Sequence, residues 1–204
     1  MNVRFEHPGA PGTFLSVMSG RVEMGAAIRV ASVLLVAAMT AAAAQVSVPL
    51  PFTPVPFTLQ PMIVLLGGAA LGARLGMAAQ IVYLLAGIAG LPVFAASAVL
   101  PQGALRLLGP TGGYLMSYPF AAFLTGLLAQ RGFDRRYLTS ALAMGAGLLL
   151  IFAGGVMWLA VFAAPAVGFD AALRTGFYPF IPADIFKVLV AAAVMPAVWR
   201  LTRG

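Results

Sequence analysis

Runs of about 20 residues with almost no charge recur along this 204-residue chain, and they restrict its fold more than any motif does. A lipid-facing barrel would instead show short segments of alternating polarity, so the runs predict an all-α integral membrane protein. Composition agrees, because 62% hydrophobic and 8% charged residues fit no ordinary soluble domain. The chain has no cysteine, which removes disulfides and thiolate metal sites. Its net charge of +7 comes from arginines scattered between apolar segments, so topology explains it better than nucleic acid, which is not expected as a partner.

Residues 1–20 hold three glycines, two prolines and the single histidine, His7, and read as a flexible leader before one membrane domain over 21–204. No cleavage context follows them, and no metal or cofactor is expected. Six spans can be drawn, at 24–45, 61–73, 75–90, 111–130, 138–163 and 181–199. The second is too short to cross the hydrocarbon alone, so it is expected either to extend into the Pro-rich segment before it or to lie deep in the bundle. Gly67, Gly68, Gly72 and Gly76 suit close helix contact there. Arg21, Arg29, Arg74, Arg131, Arg135, Arg136, Arg200 and Arg203 fall on one side of this layout, while Arg106 and Arg174 fall on the other. The positive-inside rule then puts both termini in the cytoplasm of a multi-pass protein of the cytoplasmic (inner) membrane.

Asp184 and Lys187 stand three apart inside the last span, on one helical face. Ionisable residues within a span mark a ligand, ion or proton site, or else form a structural ion pair or send a lysine up to the headgroups. Tyr114 and Tyr118, four apart near the outer interface, serve equally as an aromatic belt or as a ligand wall. Ala37 and Ala41, like Ala38 and Ala42, make Ala-x-x-x-Ala pairs on the first span, suited to a second helix or to internal packing.

The three connections on the outer side are the long ones. The first, 46–60, carries prolines at 49, 51, 54 and 56, which block helix and favour a stiff extended segment. It is apolar and uncharged, so it is expected to fold over the bundle as a lid. The second ends in Gly109-Pro110-Thr111-Gly112-Gly113, a tight turn whose backbone amides at a helix start offer a place for polar ligand atoms. No Gly-Lys-Ser/Thr follows, so it is not a phosphate-binding loop of ATPases.

Taken in order, Ala44-Gln45-Val46-Ser47-Val48-Pro49-Leu50-Pro51, Pro54-Val55-Pro56-Phe57-Thr58-Leu59-Gln60, Gly90-Leu91-Pro92-Val93-Phe94, Gly109-Pro110-Thr111-Gly112-Gly113-Tyr114 and Pro182-Ala183-Asp184-Ile185-Phe186-Lys187 resemble the BioY family. These are biotin-binding S components of energy-coupling factor (ECF) transporters, and the resemblance runs over residues 24 to 200. It implies a six-transmembrane-helix bundle of ECF S-component type with an external biotin pocket under the first loop. It also implies a transmembrane coupling protein and two ATPase subunits as partners, with the first helix's Ala-x-x-x-Ala face docking on the coupling protein. In such a pocket Asp184 would accept from a ureido N–H of biotin and Lys187 would donate to the ureido carbonyl. Arg106 would pair with the valerate carboxylate, unless it is held at the headgroups. Ser97 stands nearest to the polar residue that similar proteins offer from the second loop.

The chain is not expected to be an enzyme. With His7 in the leader and neither His-Glu-x-x-His nor a nucleophile elbow present, a membrane hydrolase lacks its parts. An ion-coupled secondary carrier or channel for a small organic solute is the stronger alternative, because Asp184 could relay protons. No inverted repeat supports it.

Overall fold

The computed structural model describes Thr13 and residues 26–97, 100–163 and 165–203; apart from Thr13, the leader lies outside the described residues, as does Arg21. Helix α1 spans Ala26–Gln45, α2 Gln60–Leu71, α3 Ala73–Ile88, α4 Gly112–Gln130, α5 Tyr137–Val161, α6 Phe169–Gly176 and α7 Ile181–Arg203. Two short 3-10 turns, Ala104–Leu108 and Phe133–Arg135, precede α4 and α5. Each predicted span meets one of these helices. Three helical segments, Ala26–Gln45, Tyr137–Val161 and Ile181–Leu201, are long and apolar enough to cross a bilayer.

Helix α2 has only 12 residues, about 18 Å. It begins at Gln60 with Pro61 in its first turn, where the missing N–H costs nothing, so the Pro-rich segment does not lengthen it. Instead it lies deep: Val64 and Leu65 are fully buried. The chain leaves it through Gly72, whose φ of 84° and N–H bond to Gly68 O (2.8 Å) end the helix and start α3 at once. Gly68 lies against α4, where a Cβ would come within 2.9 Å of Ala122 Cα. The glycine cluster therefore serves close backbone approach between α2, α3 and α4.

The connection from α1 to α2 forms a two-stranded antiparallel ribbon, β1 (Ser47–Val48) with β2 (Phe57–Thr58), in the register Ser47 to Thr58 and Val48 to Phe57. Between the strands the prolines exclude helix, and Val55 turns inward while Phe52 stays exposed. The connection from α5 to α7 holds a short helix, α6. Gly168, at φ 80°, precedes α6, an exposed Asp170–Arg174 pair (3.0 Å) supports it at i,i+4, and Ala172 anchors it against the core. At the other end of the bundle Trp199 Nε1 donates to buried Asp134 Oδ2 (2.6 Å), tying the end of α7 to the α4–α5 turn.

The Ala-x-x-x-Ala pairs separate on α1. Ala37 is buried in the main apolar core and Ala41 packs against it, whereas Ala38 and Ala42 lie on the exposed face with Leu34, Leu35 and Met39. Ala37 and Ala41 thus face the chain's own core, Ala41 from its partly exposed edge.

Candidate functional site

Five of the sequence-selected residues line one cavity beneath the Pro-rich ribbon: Asp184, Lys187, Arg106, Tyr114 and Tyr118. Helix α7 supplies the first two, because their spacing of three puts both on the face that α7 turns inward. Lys187 Nζ donates to Asp184 Oδ1 at 2.5 Å and to the Thr58 carbonyl at 2.5 Å, and lies 3.6 Å from the centre of the Phe57 ring. Asp184 and Lys187 are 5% and 6% exposed, so the lysine does not reach for the headgroups. Its charge is met by a carboxylate, a carbonyl and an aromatic face, all of which weigh more where water is excluded.

Helix α4 supplies the tyrosines, one turn apart. Both are buried, and neither forms an exposed belt. The Tyr114 hydroxyl donates to Gly176 O (2.6 Å), fixing the end of α6 over the cavity, and Tyr118 stacks on Tyr83 with centroids 6.5 Å apart. Ile151, Phe152 and Phe180 complete an apolar wall.

Arg106 enters from the 3-10 turn before α4. It is 5% exposed, no carboxylate pairs with it among the described residues, and its Nε has no hydrogen-bond partner. Burial pulls its pKa below the usual arginine value. An arginine still keeps its proton under such conditions, so a desolvated cation is left at the cavity's mouth without an anion. Ser97 is not in this cavity. It lines a neighbouring one, between the ribbon and the second outer connection, and its Oγ accepts from Leu100 N (3.3 Å).

Part of the hydrogen-bonding capacity of the Gly109–Gly113 turn is used within the fold, where Gly109 N donates to Arg106 O (3.4 Å). Gly112 N donates to Gly109 O (3.0 Å), and Trp158 Nε1 donates to the same carbonyl (3.0 Å). A Cβ on Gly113 would lie 2.8 Å from Trp158 Cγ, so this glycine lets α4 meet α5. Thr111 is the one residue of the turn that lines the cavity.

Comparison with known proteins places this arrangement. The pattern of the BioY family matches residues 17–204. The chain belongs to the BioY family. It is 43% identical over 168 residues to the probable biotin transporter BioY of Pyrococcus horikoshii, covering 81% of this chain and 92% of the relative. With the biotin transporter BioY of Thermotoga maritima it shares 40% identity over 147 residues, 72% of this chain and 79% of the relative. The fold is similar to the 2.1 Å crystal structure of the S-component for biotin from an ECF-type ABC transporter, with a TM-score of 0.74, covering 89% of this chain and 95% of that one at 24% identity. The family names are those of transporters, not enzymes.

Sequence reasoning missed a further part of this family member's cavity. Gln60, 2% exposed, lines it and donates from Nε2 to the Tyr83 hydroxyl (2.6 Å), which in turn donates to Val93 O (3.3 Å). Tyr83 also meets Phe94 edge-on at 5.6 Å, and Phe94 reaches the cavity wall. A polar residue at the very start of an apolar helix was the available signal for Gln60. Tyr83 sits within an apolar run and carries none.

Proposed function

We propose that this chain captures biotin from the external side of the cytoplasmic membrane, as the substrate-binding S component of an ECF-type ABC transporter. The observation that carries the reading is one cavity with a buried ion pair in its wall, aromatic and aliphatic sides, and at its mouth a guanidinium that has no carboxylate partner among the described residues. Biotin has the matching sequence of parts: a neutral ureido group with two N–H donors and one carbonyl, an apolar bicycle and a terminal carboxylate. Asp184 accepts a ureido N–H. The Lys187 N–H left over from Asp184 and Thr58 meets the ureido carbonyl, and the tyrosines and Phe152 flank the rings. Arg106 meets the carboxylate, which resolves the cost of burying its charge. The names of the relatives support the choice of ligand.

In this reading six helices cross the membrane, α1 to α5 and α7, with both termini cytoplasmic. Helices α2 and α3 are short enough that they rely on their neighbours and on the intervening Gly72 turn to complete the crossing. A transmembrane coupling protein and two ATPase subunits supply the energy, and the exposed Ala38 and Ala42 face of α1 receives the coupling protein. Uptake of labelled biotin in cells containing these partners tests the assignment. Uptake should fall with ATP and persist under uncouplers that leave ATP intact; loss under uncouplers alone would favour an ion-coupled carrier.

A further inference from the structure

A second cavity lies beside the first, between the Pro-rich ribbon and the second outer connection. Pro56, Arg106 and Thr111 belong to the walls of both. The neighbouring space is roofed by Pro49 and Pro54 and floored by Pro110, with Ala96 at its exposed rim. Proline fixes φ, and the bonds from Thr53 N to Leu50 O (3.4 Å) and from Val55 N to Thr53 Oγ1 (3.1 Å) add to the stiffness of this roof. Among its lining residues Arg106 is the only charged one.

Any ligand whose acidic end lies at Arg106 therefore stops at a partition with preformed room beyond it. The room suits a neutral or mixed chain rather than a second carboxylate alone, because one guanidinium is all the charge on offer. We infer that this vestibule takes the tail of ligands extended through the carboxyl carbon, so that the protein binds amides of biotin with an aliphatic amine as well as the free acid. In the amide, the carbonyl oxygen accepts from the Arg106 guanidinium, a weaker bond than that to a carboxylate but one that still gives a buried donor its partner. The aliphatic part then lies along the prolines and removes apolar surface from water. The inference rests on the biotin reading above and extends it to a class of ligands.

Calorimetry on the purified full chain, with free biotin and with biotin joined to the ε-amine of lysine, tests this. The parent protein should bind the lysine conjugate within about tenfold of biotin. Ala96→Trp, at an exposed position that touches neither ligand's ring system, should fill the vestibule. It should weaken the conjugate by about tenfold or more while leaving biotin affinity unchanged. Pro49→Trp repeats the test from the ribbon side, and unchanged thermal midpoints certify both variants. A parent that binds biotin but rejects the conjugate overturns the inference alone. Equal losses of both ligands in the variants overturn it too, since the vestibule is then only a passage. A parent that binds neither ligand contradicts the biotin reading itself, and the inference falls with it.

Discussion

Lys187 Nζ lies 2.5 Å from the carbonyl oxygen of Thr58, so a charge in the last helix is fastened to the ribbon that roofs the cavity. The same ammonium holds Asp184 Oδ1 at 2.5 Å. A residue in the cavity wall thus also secures its cover, and a ligand that drew on Lys187 would act on the position of residues 57 and 58 as well.

The pair separates a structural role from a binding role. Removing one partner strands the other in a dry site, so Lys187→Met or Asp184→Leu alone should cost about 3–5 kcal/mol of stability. The double variant should regain most of that, since two apolar side chains of similar size need no partners. Its biotin affinity should still be at least about a hundredfold weaker, near 3 kcal/mol, because acceptor and donor are both gone. Thermal unfolding in detergent beside titration calorimetry checks this; a stable double variant binding like its parent would remove the pair from the site.

Arg106→Ala should weaken biotin by about 1.5–3 kcal/mol, the range for a hydrogen bond to a charged group. The loss for biotin amide should be clearly smaller, because the amide carries no charge to pair. Equal losses for the acid and the amide would place the guanidinium away from the carboxylate.

On α1 the exposed and buried alanines should behave differently. Ala38→Trp or Ala42→Trp should leave biotin binding intact while reducing co-purification with the coupling protein, since close helix packing in lipid requires small side chains. Ala37→Trp should instead lower thermal stability by about 1–3 kcal/mol, the usual cost of overpacking a core. If Ala38→Trp and Ala42→Trp both retain the coupling protein at parental levels, the docking face lies elsewhere.

Gly68→Ala tests the crossing of α2 and α4 on its own. The added methyl meets the Ala122 backbone, which has no rotamer to give way, so stability should drop by about 1–3 kcal/mol. A thermal midpoint equal to the parent's would mean that the helices are not held at this distance.

The sequence made the helical segments legible because uncharged runs of that length have few other solutions, and it made Asp184 and Lys187 legible because charge inside such a run is conspicuous. It was silent on partners separated by long stretches of chain. The bond from Lys187 to Thr58 spans 129 residues, and that from Tyr114 to Gly176 spans 62. Nothing local announces either one. The glycines of the 109–113 turn were ambiguous because the same residue serves ligand approach and helix approach, and the packing of Gly113 against Trp158 is visible only in the fold. Helix α6 was overlooked because its eight residues are too few for a span and its charges resemble those of a loop.

In the proposed function the cavity under the ribbon is a biotin site complete in this one chain. Titration calorimetry of the purified, monodisperse protein with biotin, in the absence of ATP and of any partner, tests it most directly. Saturable binding with one site per chain is the predicted result. No heat of binding from protein whose thermal unfolding shows it to be folded would mean that the cavity is not a biotin site.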